Sequence, residues 1–207
     1  MLTIGSHCGL GRVASRVLVL LLAALFYPAP SRADGIEGRV AVARARDNRD
    51  VVVYLERIAG KTFTPPTAPV VIDQKNLAFQ PHVVPVLVGT RVTFPNSDEV
   101  RHNVFSPTKG AAFDLGSYPL GSSRSRAFDV PGVVTLLCNV HAEMSAYVVV
   151  TEPPYFAVTD REGHFSMPAV PPGHYQLATW YERARPVRQA VDVPEGRPAT
   201  LVIEIGK

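Results

Sequence analysis

Short runs of alternating apolar and polar residues recur along most of the chain, and they are rich in valine, isoleucine, phenylalanine, tyrosine and threonine. Such runs are typical of half-buried β-strands. Glycine, proline, asparagine and aspartate separate them, as turns require, and no long window has helical periodicity. The pattern predicts an all-β protein. The predicted strands are Arg39–Ala43, Val51–Glu56, Val70–Ile72, Val83–Val88, Arg91–Phe94, Ser125–Val130, Val133–Cys138, Ala146–Thr151, Phe156–Thr159, His164–Met167, Gly173–Tyr181, Val187–Val193 and Ala199–Ile205.

Two proline-rich segments interrupt this pattern and suggest boundaries. Thr62–Pro69 contains three prolines and little that can pack, so it is predicted to be a linker or loop. Glu152–Pro154 follows a strong strand, and proline cannot continue a hydrogen-bonded ladder. Residues 61–152, which begin just before the first of these segments and end at the second, are expected to form one structural unit.

The first 33 residues have the features of an export signal. Arg12 and Arg16 precede an apolar run of eleven residues, Val17–Tyr27, and Ser31 and Ala33 are small residues at the positions that a signal peptidase recognises. Eleven residues fall short of the roughly 20 that a membrane span needs. We therefore expect cleavage after Ala33, periplasmic localisation and no stable membrane span.

Removing this segment changes the charge and the cysteine count. Three of the 21 Lys and Arg residues lie in 1–33, which leaves 18 against 18 Asp and Glu. A formally neutral chain without a basic run gives no indication of nucleic-acid binding. Cys138 is then the only cysteine, so no intrachain disulfide is possible. A lone thiol in an oxidising compartment is expected to be metal-bound or a buried structural residue.

The segment Cys138–Met144 concentrates metal-binding side chains. Cys138, His141 and Met144 fall within seven residues, and His102 lies 36 residues upstream. A thiolate, two imidazoles and a weak thioether are the donors of copper sites that cycle between Cu(I) and Cu(II). Zinc is the main rival, since it also takes Cys and His, but the single thiolate and the Met favour copper. His82, His164 and His174 are interpreted as ordinary, non-ligating residues.

The predicted strands Val133–Cys138 and Ala146–Thr151 flank this loop, so it is expected to join two adjacent strands at one end of a β-sandwich. About residues 70–151 resemble the cupredoxins, the small blue copper proteins, amicyanin and plastocyanin in particular. The matching segments are Phe79–Pro81, Val88–Asn96, His102–Val104 and the Cys138-x-x-His141-x-x-Met144 loop. The resemblance implies a Greek-key sandwich with one type 1 copper, in which His102, Cys138 and His141 form the trigonal plane and Met144 is the axial ligand.

The resemblance also implies that Asn103 steadies the loop by hydrogen bonding and that electrons pass through the exposed edge of His141. Three residues depart from the family pattern. Leu136 and Leu137 stand where an aromatic residue is common, and Ala142 stands where a proline is common. Glu143 adds a carboxylate beside the loop, and we expect a nearby negative charge to favour Cu(II) and lower the reduction potential.

The C-terminal part resembles a second family, the carboxypeptidase regulatory-like (transthyretin-like) β-sandwiches. The matching segments are Thr159–Phe165 and Pro171–Tyr175, while the opening strands of that family match Gly38–Val40 and Asp50–Leu55. We therefore expect residues 34–60 and 153–207 to form one small, discontinuous sandwich with the copper domain, 61–152, inserted in it. The alternative assigns 34–152 to the copper domain and 153–207 to a separate module.

These features lead to two functional hypotheses. The first is an exported carrier of single electrons, which exchanges them with a c-type cytochrome or a periplasmic dehydrogenase. The second is a non-redox copper-binding or envelope interaction protein. An enzyme is not expected, because a fourth donor such as Met144 tends to close a metal site and no Ser/His/Asp set or carboxylate pair is placed for hydrolysis.

Overall fold

The computed structural model describes residues 34–206, and the predicted signal segment lies outside this range. The described residues form strands, turns and irregular segments without any helix, so the fold is all-β, as the sequence predicts. No helix in this range could therefore cross a membrane.

Strands β3 to β12 form a central lobe, which we define as residues 70–151. One sheet has the order β6-β12-β11-β8-β9, a second has the order β10-β7-β3, and β4 pairs with β5. The strands are β3 (Val70–Val71), β4 (Asp73–Gln74), β5 (Phe79–Gln80), β6 (Val83–Leu87), β7 (Thr90–Pro95), β8 (His102–Ser106), β9 (Phe113–Tyr118), β10 (Ser123–Phe128), β11 (Gly132–Leu137) and β12 (Ser145–Thr151).

The burial of the central lobe follows the strand periodicity of two. In β7, Thr90, Val92 and Phe94 are buried while Arg91 is exposed, because successive side chains point to opposite faces. Strand β12 departs from alternation, since Val148–Thr151 are all buried. It lies between β11 and β6 and is covered on both faces, as continuous apolar strands usually are. Phe94, Leu136 and Val148 belong to the core between the sheets.

The remaining strands form an outer lobe, which we define as residues 35–55 and 156–205. Its sheets have the orders β14-β1-β17 and β13-β2-β15-β16, and a separate apolar cluster fills the space beside them. The strands are β1 (Gly35–Val42), β2 (Val52–Leu55), β13 (Phe156–Val158), β14 (His164–Pro168), β15 (Gly173–Trp180), β16 (Arg188–Val193) and β17 (Pro198–Ile205).

The chain leaves the outer lobe after β2 and returns to it at β13, and these two strands are hydrogen-bonded neighbours. Phe156 pairs with Tyr54, and the Leu55 N–H donates to the Tyr155 carbonyl at 2.9 Å. The two ends of the central lobe thus meet at one place on the outer lobe, which is the geometry that tolerates an inserted unit. Strands β1 and β2 are both hydrogen-bonded to C-terminal strands.

A small apolar cluster joins the two lobes. Val52 of the outer lobe and Val83 and Val149 of the central lobe are buried together. The rings of Tyr147 and Trp180 pack beside them, with centroids 4.9 Å apart. Aromatic contacts of this kind add stability beyond the area that they bury.

Four strands of the central lobe were not predicted from the sequence: the two-residue strands β4 and β5, and the longer strands β8 and β9. The expectation placed Arg101–Val104 in a connection, whereas His102 begins β8, and β9 was not expected at all. Strand β9 contains Asp114, Gly116 and Ser117, which are residue types that strands usually lack, and Gly116 has a φ of 71°. The pairing of β8 with β9 also contains an irregularity between Asn103 and Phe105.

Candidate metal centre

The five-stranded sheet of the central lobe brings the predicted ligands to the same end of its strands. Strands β11 and β12 pair in antiparallel register, and the loop 138–144 joins their ends. Strand β8 lies beside β11, with Phe105 opposite Leu137, so His102 at the start of β8 lies next to the loop. His102 and Cys138 are 36 residues apart in the sequence but lie next to each other in the fold.

Three of the four predicted ligands converge. One ligand atom each from His102, Cys138 and His141 lies within 4.8 Å of the others. The two imidazole Nδ1 atoms are 3.1 Å apart, and the Cys138 Sγ is 3.9 Å from the His102 Nδ1. Metal–nitrogen bonds of about 2.0–2.1 Å would let one ion contact both imidazoles. Among residues 34–206, this is the one such group of His, Cys, Asp or Glu side chains.

Met144 closes the loop and lies in the core of the central lobe with Cys138. The Cys138 N–H donates to the Met144 carbonyl at 3.3 Å, and the Met144 N–H donates to the His141 carbonyl at 3.0 Å. Its side chain is only 1% exposed. A thioether together with a thiol and two imidazoles is a donor set that suits copper better than zinc.

The three converging side chains differ in exposure. His102 is fully buried and Cys138 is 5% exposed, so both are shielded from water. His141 is half-buried and therefore connects the group to the surface. Cys138 is a free thiol.

A carboxylate fixes the orientation of His102, and sequence reasoning missed it. The His102 Nε2 lies 2.9 Å from the Asp98 Oδ2, so Nε2–H donates to the carboxylate and Nδ1 faces His141 and Cys138. Carboxylates commonly orient metal-bound histidines in this way. Burial opposes the charge on Asp98, but hydrogen bonds from the Leu77 N–H, the His102 side chain and the Asn76 N–H hold its pKa below the usual value.

A tight hairpin presents those two backbone groups to Asp98. Asn76 and Leu77 lie between β4 and β5 with φ of 58° and 56°, and their N–H groups donate to Asp98 at 2.6 and 2.9 Å. Positive φ at both central residues is characteristic of a type I′ turn. Leucine is unfavourable there, so the turn sequence alone gives little indication of this contact.

Asn103 occupies the place that the resemblance implies. Its Oδ1 accepts a hydrogen bond from the Asn139 N–H at 2.8 Å, and its Nδ2 donates to the Asp114 carboxylate at 3.3 Å. The side chain is 1% exposed. Asn103 thus ties the start of the loop 138–144 to β8 and β9. Strands β11 and β12 hold the two ends of the loop.

The other three histidines of residues 34–206 lie away from this group. His82 contacts the Ser145 carbonyl and the Glu182 carboxylate, at 3.0 and 3.2 Å. His164 and His174 are exposed on the outer lobe. Glu143 is also exposed, and the carboxylate that contacts a converging histidine is Asp98.

The chain matches no family model and no curated protein sequence. Among solved structures it is similar to a copper-containing nitrite reductase from Thermus scotoductus SA-01, with 25% identity and a TM-score of 0.40. That match covers 48% of this chain but only 25% of the reductase, so this chain spans about a quarter of the reductase's length. A reduced amicyanin point mutant has 25% identity and a TM-score of 0.38, over 41% of this chain and 84% of amicyanin.

A purple cupredoxin from Nitrosopumilus maritimus is also similar, with 23% identity and a TM-score of 0.36. The match covers 40% of this chain and 99% of that protein. The amicyanin match and the purple cupredoxin match thus each cover about 40% of this chain.

Proposed function

We propose that this protein binds one copper ion at a type 1 site and carries single electrons between exported redox partners. The convergence of His102, Cys138 and His141 within 4.8 Å carries the proposal. In this site Met144 is the axial fourth ligand. Copper bound there would supply one reversible Cu(I)/Cu(II) electron transfer per cycle.

The residues around the site favour rapid exchange of electrons with little rearrangement. Asp98 holds the His102 ring, and Asn103 holds the backbone after Cys138. Such contacts fix ligand positions before the metal binds and keep them fixed when its charge changes. The half-buried His141 is the proposed route for electrons between the shielded group and a docked partner.

Electron carriage is proposed rather than catalysis. A catalytic metal site usually keeps one position open for substrate or water. In the proposed site the fourth donor is Met144, a buried residue of the same short loop. The proposed partners are a c-type cytochrome or a periplasmic dehydrogenase, reached after export and removal of residues 1–33.

We also propose that residues 34–60 and 153–207 form a single carboxypeptidase regulatory-like sandwich, with the copper domain, 61–152, inserted in it. The pairing of β1 with β14 and β17 and of β2 with β13 and β15 supports this division. The separate apolar clusters of the two lobes support it further.

The test is an optical and EPR spectrum of the purified protein after addition of one equivalent of Cu(II). We expect an intense thiolate-to-copper band with narrow hyperfine splitting and a reversible potential by voltammetry. Cys138→Ala is expected to abolish the band, and His141→Ala to change it strongly. His164→Ala is the matched control, because this exposed histidine lies on the outer lobe and should leave the spectrum unchanged.

Two outcomes would contradict the proposal. A colour that persists in Cys138→Ala would rule out the thiolate ligand. A bound metal that cannot be reduced and reoxidised reversibly would favour the second hypothesis, a non-redox copper-binding or interaction protein.

A further inference from the structure

A cavity of about 490 Å³ lies where the two lobes meet, away from the candidate metal centre. Its walls are the loop Val42–Asp50 after β1, His82 before β6, and residues 181–184 after β15. We call it the junction cavity. Its volume falls in the range of pockets that hold small molecules, which often lie between structural units.

Arginine dominates the charge of the junction cavity. Four arginines and one histidine line it, against three carboxylates. Two of the arginines have partners within the wall. Arg49 contacts Asp47 at 2.7 Å, and Arg183 contacts Glu182 at 3.0 Å.

The other two arginines of the junction cavity, Arg44 and Arg46, have no ion pair or hydrogen bond with any residue of 34–206. Both are exposed to the solvent in and around the cavity. Asp50 is the wall carboxylate without an ion-pair partner in the same range, and burial raises its pKa, which disfavours its charged form. The unmatched charge of the cavity is therefore positive.

The loop that carries these arginines is strained and firmly held. Arg44 and Asp50 have φ of 58° and 62°, a region that non-glycine residues rarely adopt. Asn48 secures the loop, because its Oδ1 accepts from the Val42 N–H at 2.8 Å and its N–H donates to the Arg161 carbonyl at 3.0 Å. Backbone strain of this kind is concentrated at binding sites, where it fixes side-chain direction.

We propose that the junction cavity binds a small oxyanion, a carboxylate or phosphate group, through the guanidinium groups of Arg44 and Arg46. Planar guanidinium groups match the geometry of both oxyanions and bind them with paired hydrogen bonds. The cavity has room for the rest of a small molecule, with Val42, Ala45 and Ala184 as apolar wall and the Tyr181 ring beside them. This site does not depend on copper.

Isothermal titration calorimetry of the copper-free protein, with inorganic phosphate and with citrate in separate runs, tests this proposal. We expect at least one of the two probes to saturate a single site per chain. In the double variant Arg44→Ala/Arg46→Ala the affinity should fall at least tenfold, because two charge-assisted contacts are lost. Arg185→Ala is the matched control, since it removes the same charge one residue beyond the cavity wall, and its affinity should stay within about twofold of the parent protein.

A second variant separates binding from folding. Arg44→Gly relieves the positive φ, since glycine adopts it without steric cost. We expect its melting temperature to equal or exceed that of the parent protein while its affinity for the oxyanion falls. Lower affinity in a protein that is no less stable would exclude unfolding as the cause.

The separate titrations with phosphate and with citrate also identify the source of the oxyanion. Binding of phosphate alone would assign a phosphorylated ligand, binding of citrate alone an organic acid, and binding of both the shared oxyanion chemistry. The proposal is overturned if neither probe binds, or if the double variant and Arg185→Ala weaken binding equally.

Discussion

At the scale of single residues, Asp98 is the side chain on which the direction of His102 most depends. It accepts hydrogen bonds from the His102 ring and from two backbone N–H groups of a strained turn. A left-handed residue costs roughly 1–2 kcal/mol. The turn that contains Leu77 is thus less stable than an ordinary one, and its contacts with Asp98 offset part of that cost.

Replacing this carboxylate should weaken metal binding without removing any ligand. For Asp98→Ala we expect copper affinity to fall about 10- to 100-fold, as for other residues that orient metal-bound histidines. Competition with a chelator of known affinity measures the change. Glu99→Ala is the control, because Glu99 is the adjacent acid and is exposed. Equal losses in the two variants would show that only the local charge matters.

Tyr118 is a second residue with a clear expected effect. Its hydroxyl accepts from the Gln74 amide at 2.6 Å and donates to the Phe94 carbonyl at 3.0 Å, in the core of the central lobe. Burial raises its pKa to about 12, above the ordinary value of 10.0. The folded state therefore holds the phenol proton more tightly than the unfolded state does.

This difference predicts a loss of stability in alkali. The contribution of Tyr118 is complete below pH 10 and is lost as the pH rises through about 12, since the unfolded chain releases the proton first. Urea unfolding at several pH values between 8 and 12 measures it. Tyr118→Phe should be less stable by about 1 kcal/mol at pH 8, for the lost hydrogen bonds, and should lack this part of the alkaline decline. An identical decline in both proteins would contradict the assignment.

Sequence reasoning reached the converging residues and Asn103 but not Asp98, which orients His102. Cys138, His141 and Met144 share a short loop, so their spacing was sufficient to group them. Asp98 lies only four residues before His102 in the sequence. The hydrogen bonds that hold its carboxylate in place, however, come from a hairpin more than twenty residues earlier. Arg44 and Arg46 become a cavity wall only when residues 181–184 fold against them. Contacts of this kind depend on the tertiary fold and leave no local signal.

At the scale of elements, the turn between β13 and β14 connects two layers of the outer lobe. Gly163 has a φ of 90°, and its Cα faces the Val40 carbonyl so closely that an added Cβ would lie 2.0 Å from that oxygen. The Val40 N–H donates to the Gly163 carbonyl at 2.8 Å, so this turn is also hydrogen-bonded to β1. The turn can approach β1 only because residue 163 has no side chain.

Gly163→Ala should therefore be strongly destabilising. Gly196→Ala is a matched control, since Gly196 has a φ of 75° and open space around its Cα. We expect the control to lose about 1–2 kcal/mol for the left-handed conformation alone. The Gly163 variant should lose a further 1–3 kcal/mol or more, because the neighbouring backbone must move. Chemical denaturation measures both, and similar losses would show that the close approach to Val40 relaxes freely.

Strand prediction succeeded where apolar alternation was strong and failed where it was weak. The segments Val133–Cys138 and Ala146–Thr151 became β11 and β12 with bounds that differ by a residue or less. The two-residue strands β4 and β5 are too short to show any periodicity. Strand β9 is held by its pairing with β8 rather than by its composition. Tertiary pairing therefore decided the elements that the local pattern could not.

At the scale of the whole molecule, the outer lobe draws its strands from both ends of the described chain. Strand β17 pairs with β1, and β15 pairs with β2. The domain division proposed above remains a prediction, and deletion tests it directly. Without residues 34–60 the C-terminal strands lose these partners, so we expect no cooperative unfolding transition from a 153–207 fragment.

The complementary variant replaces residues 57–153 by a short glycine–serine linker. Because β2 and β13 are neighbours, the linker has only a short distance to span, and the outer lobe should fold alone. Circular dichroism and thermal melting measure both proteins. A stable 153–207 fragment would instead support the division into 34–152 and 153–207.

The parallel pairing of β1 with β17 has a mechanical consequence. The two strands are in register over their full length, with Gly35 opposite Pro198 and Val42 opposite Ile205. A force that pulls Gly35 and Ile205 apart acts at opposite ends of this pair, so it loads the connecting hydrogen bonds together in shear rather than one after another. The central lobe lies outside that load path. A protein stretched between these two points would resist extension at the outer lobe while the ligand loop 138–144 stayed unloaded.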